Sequence, residues 1–313
     1  MPHSGVSNPH QPVLYQEVLR ALNPFSPGRY IDATVGAGGH AWGILDACAP
    51  SGELLGLDVD PVALDLAKER LSGFGKRVIL KQSSYIFLLD QMQSLGWQSV
   101  DGVLLDLGVS SMQLDRAEKG FSFRVEGPLD MRFNPDQPVT AADLVNHLPV
   151  EALADILWKY GEERQARRIA NAILANRPLH TTTQLAEVIR RTVGGKGRSI
   201  HPATLTFQAL RIAVNQELQA LEQVLPDVIK ALAPGGRLVV ISFHSLEDRL
   251  VKQFFQREAR DCICPPKQPL CTCQHKRSIK IVQSLYKPTA SEVDDNPRAR
   301  SARLRIAEKI VMA

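Results

Sequence analysis

Along the first third of the chain, short apolar runs alternate with segments in which apolar residues recur at the spacing of a helix. Apolar runs of strand length fall at 30–32, 53–58, 77–81 and 100–106, and segments with helical spacing at 41–49, 61–71 and 85–95 lie between them. Continuous apolar runs are typical of buried parallel strands, because the helices that connect such strands cover both faces of the sheet. The pattern therefore predicts an α/β domain with a mostly parallel sheet.

This alternation stops after Asp106. Helical periodicity continues at 141–148, 150–160, 164–175, 183–192 and 202–225, and a further helix is predicted over 246–260. Strand-like runs return at 236–242, 279–283 and 302–308. We expect one Rossmann-like, seven-stranded domain formed by residues 1–114 and 216–313, with an inserted helical domain at 115–215.

Composition changes this picture little. The 313 residues are 44% hydrophobic and 22% charged, as in ordinary globular proteins, and the formal net charge is +4. This small positive excess permits an anionic partner without requiring one. Residues 1–4 lack the charged and apolar regions of a signal peptide, and no apolar run approaches the roughly 18 residues of a membrane span. We therefore expect a cytoplasmic protein with no membrane contact.

A glycine-rich loop follows the first predicted strand. The loop contains Gly36, Gly38 and Gly39. It begins after Asp32 and leads into a predicted helix, whose first backbone N–H groups lack partners and can bind a ligand. The spacing loosely fits a nucleotide-cofactor fingerprint, and Asp58 ends the next strand at about the distance where an acid meets a ribose hydroxyl. A glycine-rich turn with nothing bound is the alternative.

Three predicted parallel strands end in an aspartate, namely Asp32, Asp58 and Asp106. Ligands of open parallel sheets bind outside the carboxyl ends of the strands, so the three acids would line one crevice. Helix N-capping explains any one of them. It does not readily explain all three at the same topological position.

The acid before the glycines indicates which cofactor the loop binds. Asp32 stands four residues before Gly36. A carboxylate there would repel the pyrophosphate of a nicotinamide dinucleotide and attract the ammonium group of a methionine moiety. This favours S-adenosylmethionine and a methyltransferase. A nicotinamide-dependent oxidoreductase is the alternative.

Seven longer segments resemble the MraW family of ribosomal RNA methyltransferases. They lie at 32–40, 105–111, 127–132, 160–164, 201–204, 242–249 and 296–301. The resemblance implies methyl transfer from S-adenosylmethionine to N4 of a cytidine in the decoding region of 16S ribosomal RNA. It also implies a class I methyltransferase domain with an inserted RNA-binding domain. A non-catalytic ribosome assembly factor that binds RNA is a second alternative, which the intact strand-end acids argue against.

The resemblance assigns cofactor contacts to individual residues. They are Gly38, Gly39, His40, Asp58, Asp106, Gln113 and an aromatic residue near the adenine, for which Tyr85 is the best match. The family usually has Phe at that last position, and Tyr85 retains the ring face. Asp32 and Gly36 complete the predicted cofactor site.

The chemistry needs an acceptor for the cytosine amine, whose lone pair is delocalised into the ring. Attack on the methyl group requires in-line placement at about 3 to 3.5 Å and a group that draws an N–H out of the ring plane. Asp106 is the first candidate, although it could instead hold the cofactor. Asp130 and His244 are candidates for contacts to the cytosine edge, and His244 could equally be bonded within its own turn.

An aromatic residue is needed to stack on the base. Many amino methyltransferases supply it directly after the fourth strand, but this chain has Leu107 and Gly108 there. The candidates elsewhere are Phe121, Phe123 and Phe243, each of which is more often a core residue.

Basic residues form three clusters suited to RNA phosphate. The first contains Arg164, Arg167 and Arg168, the second Arg190, Arg191, Lys196 and Arg198, and the third Arg298, Arg300, Arg303 and Arg305. The partner predicted from them and from the resemblance is 16S ribosomal RNA or the small ribosomal subunit. A solvated, salt-bridged helix face is the alternative for each cluster.

Four of the five cysteines are close in sequence, at Cys262, Cys264, Cys271 and Cys273. A cytoplasmic chain does not favour structural disulfides. The set therefore indicates either a structural zinc site, with tighter spacing than is usual, or reduced loop thiols. The sequence leaves a monomer and a homodimer both open.

Overall fold

The computed structural model describes residues 12–194, 201–266, 268 and 270–311. They form two compact units. The first contains the described residues through Gly108 and from Ala220 onward, and the second is Val109–Gln219. No helix of the described residues is both long and apolar enough to cross a membrane.

Seven strands and thirteen α-helices cover the described residues. The strands are β1 (Arg29–Asp32), β2 (Glu53–Asp58), β3 (Val78–Gln82), β4 (Val100–Asp106), β5 (Leu232–Ser242), β6 (Ile279–Tyr286) and β7 (Arg303–Lys309). The helices are α1 (Tyr15–Leu22), α2 (Gly39–Ala47), α3 (Pro61–Leu71), α4 (Leu88–Ser94), α5 (Ser111–Asp115), α6 (Ala141–His147), α7 (Val150–Gly161), α8 (Ala166–Ala175), α9 (Thr182–Val193), α10 (Thr204–Asn215), α11 (Glu217–Ala231), α12 (Ser245–Glu258) and α13 (Ala290–Asp295).

The strands of the first unit form one sheet in the order β3-β2-β1-β4-β5-β7-β6. The first five are parallel, whereas β7 is antiparallel to both β5 and β6. The chain order reverses on either side of β1, which places β2 and β4 beside it. This is the topological switch point at which open α/β sheets bind ligands.

Both faces of the sheet are buried, as the continuous apolar runs predict. Successive side chains of a strand point to opposite faces, so Leu55 belongs to the core cluster that includes Leu225 and Phe255 from α11 and α12. Its neighbour Leu54 belongs to the opposite cluster, which includes Ile44 from α2. The sheet is therefore held rigidly between two layers of helices.

The second unit is helical. Helix α7 packs against α8 and α10, and Leu153, Leu157 and Ile169 are completely buried. A Cβ atom on Gly161 would lie 2.6 Å from the carbonyl oxygen of Leu205, so the glycine permits the close approach of α7 and α10.

Two predicted helices are wrong in their extent. The helix predicted over 202–225 is two helices, because Gln216 adopts a left-handed conformation with φ of 52° between α10 and α11. The helix predicted over 85–95 begins with a 3-10 turn at Tyr85–Phe87 and continues as α4. Two short helices, α5 and α13, were not predicted, because neither contains enough turns to show a period.

Candidate functional site

Three aspartates lie at neighbouring strand ends of the first unit. Asp32 pairs with Gly56 of β2 and with Leu104 of β4. Asp58 lies two residues after Gly56 in β2, and Asp106 lies two residues after Leu104 in β4. Asp32 is buried. The carboxyl ends of β1, β2 and β4 thus bring together the three acids on which the cofactor prediction depends.

The glycine loop is attached to the strands on both sides. Val35 N–H donates to the Leu57 carbonyl at 2.9 Å, and Gly36 N–H donates to Asp58 Oδ2, also at 2.9 Å. Gly36 and Gly38 have φ of 51° and 78°, a region that favours glycine. Gly38 caps α2 without a side chain, so no side chain of the cap residue binds the first backbone N–H groups of this helix.

Gly39 serves packing as well as the predicted cofactor. A Cβ atom at this position would lie 2.5 Å from Cγ of Pro12, and a Cβ on Gly38 would lie 3.1 Å from Leu71. Larger residues at either position would push the loop away from α3 and from the start of the described chain. The cofactor contacts of both glycines stay predictions.

His40 lies in the first turn of α2 and is buried. Its Nε2 is 3.7 Å from Asp106 Oδ2, and its ring stacks on Tyr15 at 6.0 Å between centroids. Burial lowers the pKa of His40 to about 4, so the imidazole is neutral at pH 7. Nε2 of His40 and Oδ1 of Asp106 are buried without a hydrogen-bond partner among the described residues. Buried polar atoms without partners are costly, which points to a polar ligand at this position.

The strand-end carboxyl groups resist ionisation. Burial, with a smaller contribution from Asp58, raises the pKa of Asp32 to about 7 against the opposing Thr34 N–H bond. Burial and the nearby Asp32 and Glu247 raise the pKa of Asp106 well above its usual range. Among the described residues, no Lys or Arg contributes to either shift. A cationic ligand would supply the missing positive charge.

Tyr85 follows β3 at the same edge of the sheet. Gln82, the last residue of β3, pairs with Asp58, and Ser83 N–H donates to the Asp58 carbonyl at 2.9 Å. Tyr85 is partly buried and packs against the apolar core. Its contact with adenine stays a prediction.

Phe243 lies beside the chain that leaves β4. Asp106 pairs with Ile241 of β5, and each strand then continues two residues, to Gly108 and Phe243. Gly108 has φ of 91°, and a Cβ atom there would lie 3.5 Å from Phe243 Cδ2. Of the three aromatic candidates, Phe243 is therefore the one in the same unit as Asp106 and near its strand end.

The other two aromatic candidates pack within the second unit. Phe121 is buried and stacks on Phe133 with 5.4 Å between ring centroids. Phe123 stacks on His201 at 4.5 Å and meets Phe207 edge-on. Both rings thus have aromatic partners of their own.

His244 is bonded within its turn. Its Nδ1 accepts from Glu247 N–H at 3.4 Å, and its Nε2 lies 3.0 Å from Glu247 Oε1, in a capping box at the start of α12. This arrangement gives His244 a structural role. Its catalytic role stays a prediction.

Asp130 and Gln113 belong to the second unit. Arg132 donates to both carboxylate oxygens of Asp130 at 2.9 Å. Burial alone would raise the pKa of Asp130, but the bonds from Arg132 outweigh it and lower the pKa, so Asp130 is a poor proton acceptor. Gln113 is buried and forms a capping box with Ser110. A substrate contact for Asp130 and a cofactor contact for Gln113 stay predictions.

Sequence reasoning missed two residues that shape the site. Thr34 Oγ1 accepts from the Asp106 backbone N–H at 2.7 Å and so joins the glycine loop to β4. Glu247 is buried and contributes to the raised pKa of Asp106. Neither function is visible in sequence, because each depends on which strands are neighbours.

The basic clusters differ in how much charge they leave available. Arg164, Arg167 and Arg168 are exposed at and before the start of α8. Arg190 and Arg191 both pair with Glu187, at 2.7 and 2.6 Å, as in a salt-bridged helix face. Lys196 and Arg198 lie outside the described residues.

The prediction of an RNA contact by Arg305 is wrong. Arg305 is 7% exposed and donates to Asp248 at 2.7 Å. Arg303, at the start of the same strand, donates to the other oxygen of Asp248, also at 2.7 Å. Arg305 stabilises the packing of α12 on β7 instead.

The sheet order with an antiparallel β7, together with a glycine loop and strand-end acids at the switch point, defines a class I methyltransferase. The chain belongs to the MraW methylase family, whose model matches residues 7–310. Its cofactor is S-adenosylmethionine, and the carboxyl groups of Asp32 and Asp106, whose raised pKa values no Lys or Arg of the described residues offsets, fit a ligand that carries positive charge.

The similarity to related proteins extends over nearly the whole chain. A ribosomal RNA small subunit methyltransferase H from Dehalococcoides mccartyi is 52% identical over 307 residues, which cover 98% of this chain and 88% of that protein. The protein of the same name from Thermomicrobium roseum is 50% identical over 309 residues, with coverage of 97% and 95%. Among solved structures, an rRNA methylase from Streptococcus thermophilus covers 95% of this chain and 94% of its own, with a TM-score of 0.43 and 11% identity.

Proposed function

We propose that this protein transfers a methyl group from S-adenosylmethionine to N4 of a cytidine in the decoding region of 16S ribosomal RNA. The observation that carries the proposal is the pair of strand-end carboxyl groups, Asp32 and Asp106, which have raised pKa values and no cationic side chain beside them. Membership of the MraW methylase family and the relatives' name support the reaction and the ribosomal RNA substrate. Such a substrate is consistent with a cytoplasmic enzyme.

The residues around the glycine loop would hold the cofactor. When bound, S-adenosylmethionine supplies an electrophilic methyl group on a positively charged sulfur. Asp32 would bind the ammonium group of the methionine moiety, and Asp58, fixed by Gly36 N–H, would accept from the ribose hydroxyls. Tyr85 would cover the adenine. Neutral His40 can donate or accept one hydrogen bond at its unpartnered Nε2.

Asp106 would accept the hydrogen bond from the cytosine amine. Its Oδ1 has no partner among the described residues, and its backbone is fixed by the Thr34 hydroxyl. A cationic ligand beside Asp106 would lower its pKa and so favour the ionised form of the carboxyl group. An ionised acceptor draws electron density toward the nitrogen and aligns its lone pair. A strong general base is not required, because the amine becomes acidic only as methylation proceeds.

Phe243 would stack on the cytosine. Its position past the end of β5, against the chain that follows Asp106, supports this assignment. Base stacking on an aromatic ring contributes about 1–3 kcal/mol per base. A cytidine in a duplex is inaccessible to such a ring, so an unpaired or flipped nucleotide is the substrate.

The helical unit would bind the RNA. We propose that residues 115–215, which form most of the second unit, supply the phosphate contacts, with the exposed Arg164, Arg167 and Arg168 as the main cations. Such contacts add affinity and orientation without reading sequence.

Methyl transfer from labelled S-adenosylmethionine tests the proposal. The acceptors are small ribosomal subunits and naked 16S RNA from cells that lack the enzyme, and the product is mapped by nuclease digestion and mass spectrometry. We expect one N4-methylcytidine in the decoding region. A methyl group on another atom or another region contradicts the substrate assignment, and no incorporation into either acceptor favours a non-catalytic assembly factor.

A further inference from the structure

Four cysteines converge in the loop that joins α12 to β6. They form two arms, Cys262-x-Cys264 and Cys271-x-Cys273. All four are free thiols, and their Sγ atoms lie within 4.8 Å of one another. The loop thus brings all four thiols together, although ten residues lie between Cys262 and Cys273.

The distances between the sulfurs fit one tetrahedral metal ion. Sγ of Cys262 lies 3.5 Å from that of Cys271 and 3.8 Å from that of Cys273, and the Cys271 and Cys273 sulfurs are 3.6 Å apart. Disulfide-bonded sulfurs would be about 2.05 Å apart. Four sulfurs at about 2.3 Å from a central zinc ion form a tetrahedron with edges of about 3.8 Å. These three separations are close to the edge of the tetrahedron, and all four sulfurs lie within 4.8 Å of one another.

Backbone hydrogen bonds to the sulfurs are an independent indication. Ile263, in the middle of the first arm, donates its N–H to Cys273 Sγ at 3.4 Å. Thr272, in the middle of the second arm, donates its N–H to Cys264 Sγ at the same distance. Each arm therefore donates to the last cysteine of the other. Such donors stabilise the thiolate form that binds metal.

We propose that Cys262, Cys264, Cys271 and Cys273 bind one structural zinc ion. Soft thiolate ligands in a tetrahedral set select zinc or iron, and four cysteines are a usual ligand set of structural zinc. Four protein ligands close the coordination sphere and leave no position for water or substrate. The ion thus has no part in methyl transfer, and the proposal does not depend on which nucleotide is methylated.

The ion would fix the geometry of the loop. At its base, Ser278 N–H donates to the Glu258 carbonyl at 2.9 Å, and His275 Nε2 lies 3.1 Å from the Arg257 carbonyl. Zinc adds a cross-link farther out, which shortens the free segment of the loop. The ion with four thiolates carries a net charge of −2, and Arg260, Lys276 and Arg277 are exposed close by in sequence.

Metal analysis of the full chain without a polyhistidine tag tests the proposal. After expression in zinc-supplemented medium and exhaustive dialysis, we expect about one zinc per chain by mass spectrometry, released when a mercurial reagent blocks the thiols. The double variant Cys271→Ser/Cys273→Ser should lose the zinc, to below about one tenth per chain. The control Cys48→Ala removes the cysteine outside the cluster, which is buried in the core, and should retain it.

Cobalt binding provides a second measurement that does not depend on how the variant folds. Metal-free wild-type protein titrated with Co²⁺ should develop the intense visible absorption of tetrahedral cobalt thiolate, saturating at about one equivalent. Wild-type protein that contains no zinc and gives no such spectrum would overturn the proposal. Purified protein that contains iron in place of zinc would also overturn it.

Discussion

The hydroxyl of Thr34 accepts a hydrogen bond of 2.7 Å from the backbone N–H of Asp106. This bond joins the loop that would hold the cofactor to the residue that would receive the cytosine amine. Thr34 N–H in turn donates to Asp32 Oδ1 at 3.3 Å. One residue therefore fixes the relative positions of two of the three strand-end acids.

Replacing Thr34 tests the importance of this bond. Thr34→Val keeps the shape of the side chain but leaves the Asp106 N–H without its acceptor, which costs about 1–3 kcal/mol. We expect weaker S-adenosylmethionine binding by calorimetry, by about three- to tenfold, and a lower melting temperature. Thr34→Ser retains the hydroxyl and should stay close to wild type. A loss with Thr34→Ser together with wild-type behaviour of Thr34→Val would show that the methyl group matters and not the hydrogen bond.

Asp106→Asn separates catalysis from cofactor binding. The amide keeps the size of the side chain but lacks the negative charge that draws the amine proton outward. We expect single-turnover methyl transfer to fall by about 100-fold or more, with the Kd for S-adenosylmethionine changed by less than about tenfold. Asp46→Asn, at an exposed position on α2, is the matched control. If Kd rises as much as the rate falls, Asp106 holds the cofactor and another group accepts the amine.

Cofactor binding should depend on pH. Because Asp32 has its pKa raised to about 7, it is largely protonated at pH 6 and ionised at pH 8. A cationic ligand lowers that pKa, so binding below pH 7 must release a proton. The Kd should therefore rise as pH falls, by up to about tenfold per unit for each proton released.

Calorimetry in buffers of different ionisation enthalpy measures this release directly. Asp32→Asn should bind more weakly at pH 8 and lose the part of the pH dependence that Asp32 contributes. A Kd for the wild-type protein that is constant between pH 6 and 8 would contradict the proposed ionic contact.

The arginines at the start of α8 should determine the salt dependence of RNA binding. A variant with Arg164, Arg167 and Arg168 all replaced by Ala loses three phosphate contacts, which lowers the slope of log K against log salt by about 2 for single-stranded RNA. Filter binding at several salt concentrations gives the slope. Arg190→Ala should have a smaller effect, because Glu187 already neutralises part of that charge. An unchanged slope in the triple variant would show that the RNA binds to a different surface of the protein.

Asp248 should matter for stability more than an ordinary surface acid. Asp248→Ala leaves Arg305 buried without its carboxylate partner, which costs about 3–5 kcal/mol of unfolding free energy. Asp65→Ala removes an exposed pair with Lys68 and should cost less than about 1 kcal/mol. Urea denaturation of the two variants measures the difference. Similar losses would mean that the Arg305 pair is screened like a surface pair.

The sequence indicated the sheet and the strand-end acids because both follow from short-range pattern. A run of apolar residues that ends in Asp marks a buried strand and its carboxyl end without knowledge of any other strand. The contact of His40 with Asp106, 66 positions later in the chain, could not be predicted, because it depends on β4 lying beside β1. The break at Gln216 was missed for a different reason, since glutamine gives no signal for a left-handed conformation and the apolar pattern continues past it.

Charge alone was a poor guide to exposure. Arg303 and Arg305 occupy alternate positions of β7 and therefore share one face, which α12 covers through Asp248. The basic residues of α8, by contrast, are exposed.

The position of β7 has a consequence for synthesis of the protein. Of the seven described strands, β7 is the last to be synthesised, yet it lies inside the sheet between β5 and β6. While residues 303–309 remain in the exit tunnel, one edge of β5 is unpaired and β6 has no neighbouring strand with which to form hydrogen bonds. The second unit is one continuous segment and is already synthesised at that stage, whereas the sheet of the first unit is incomplete until β7 is available.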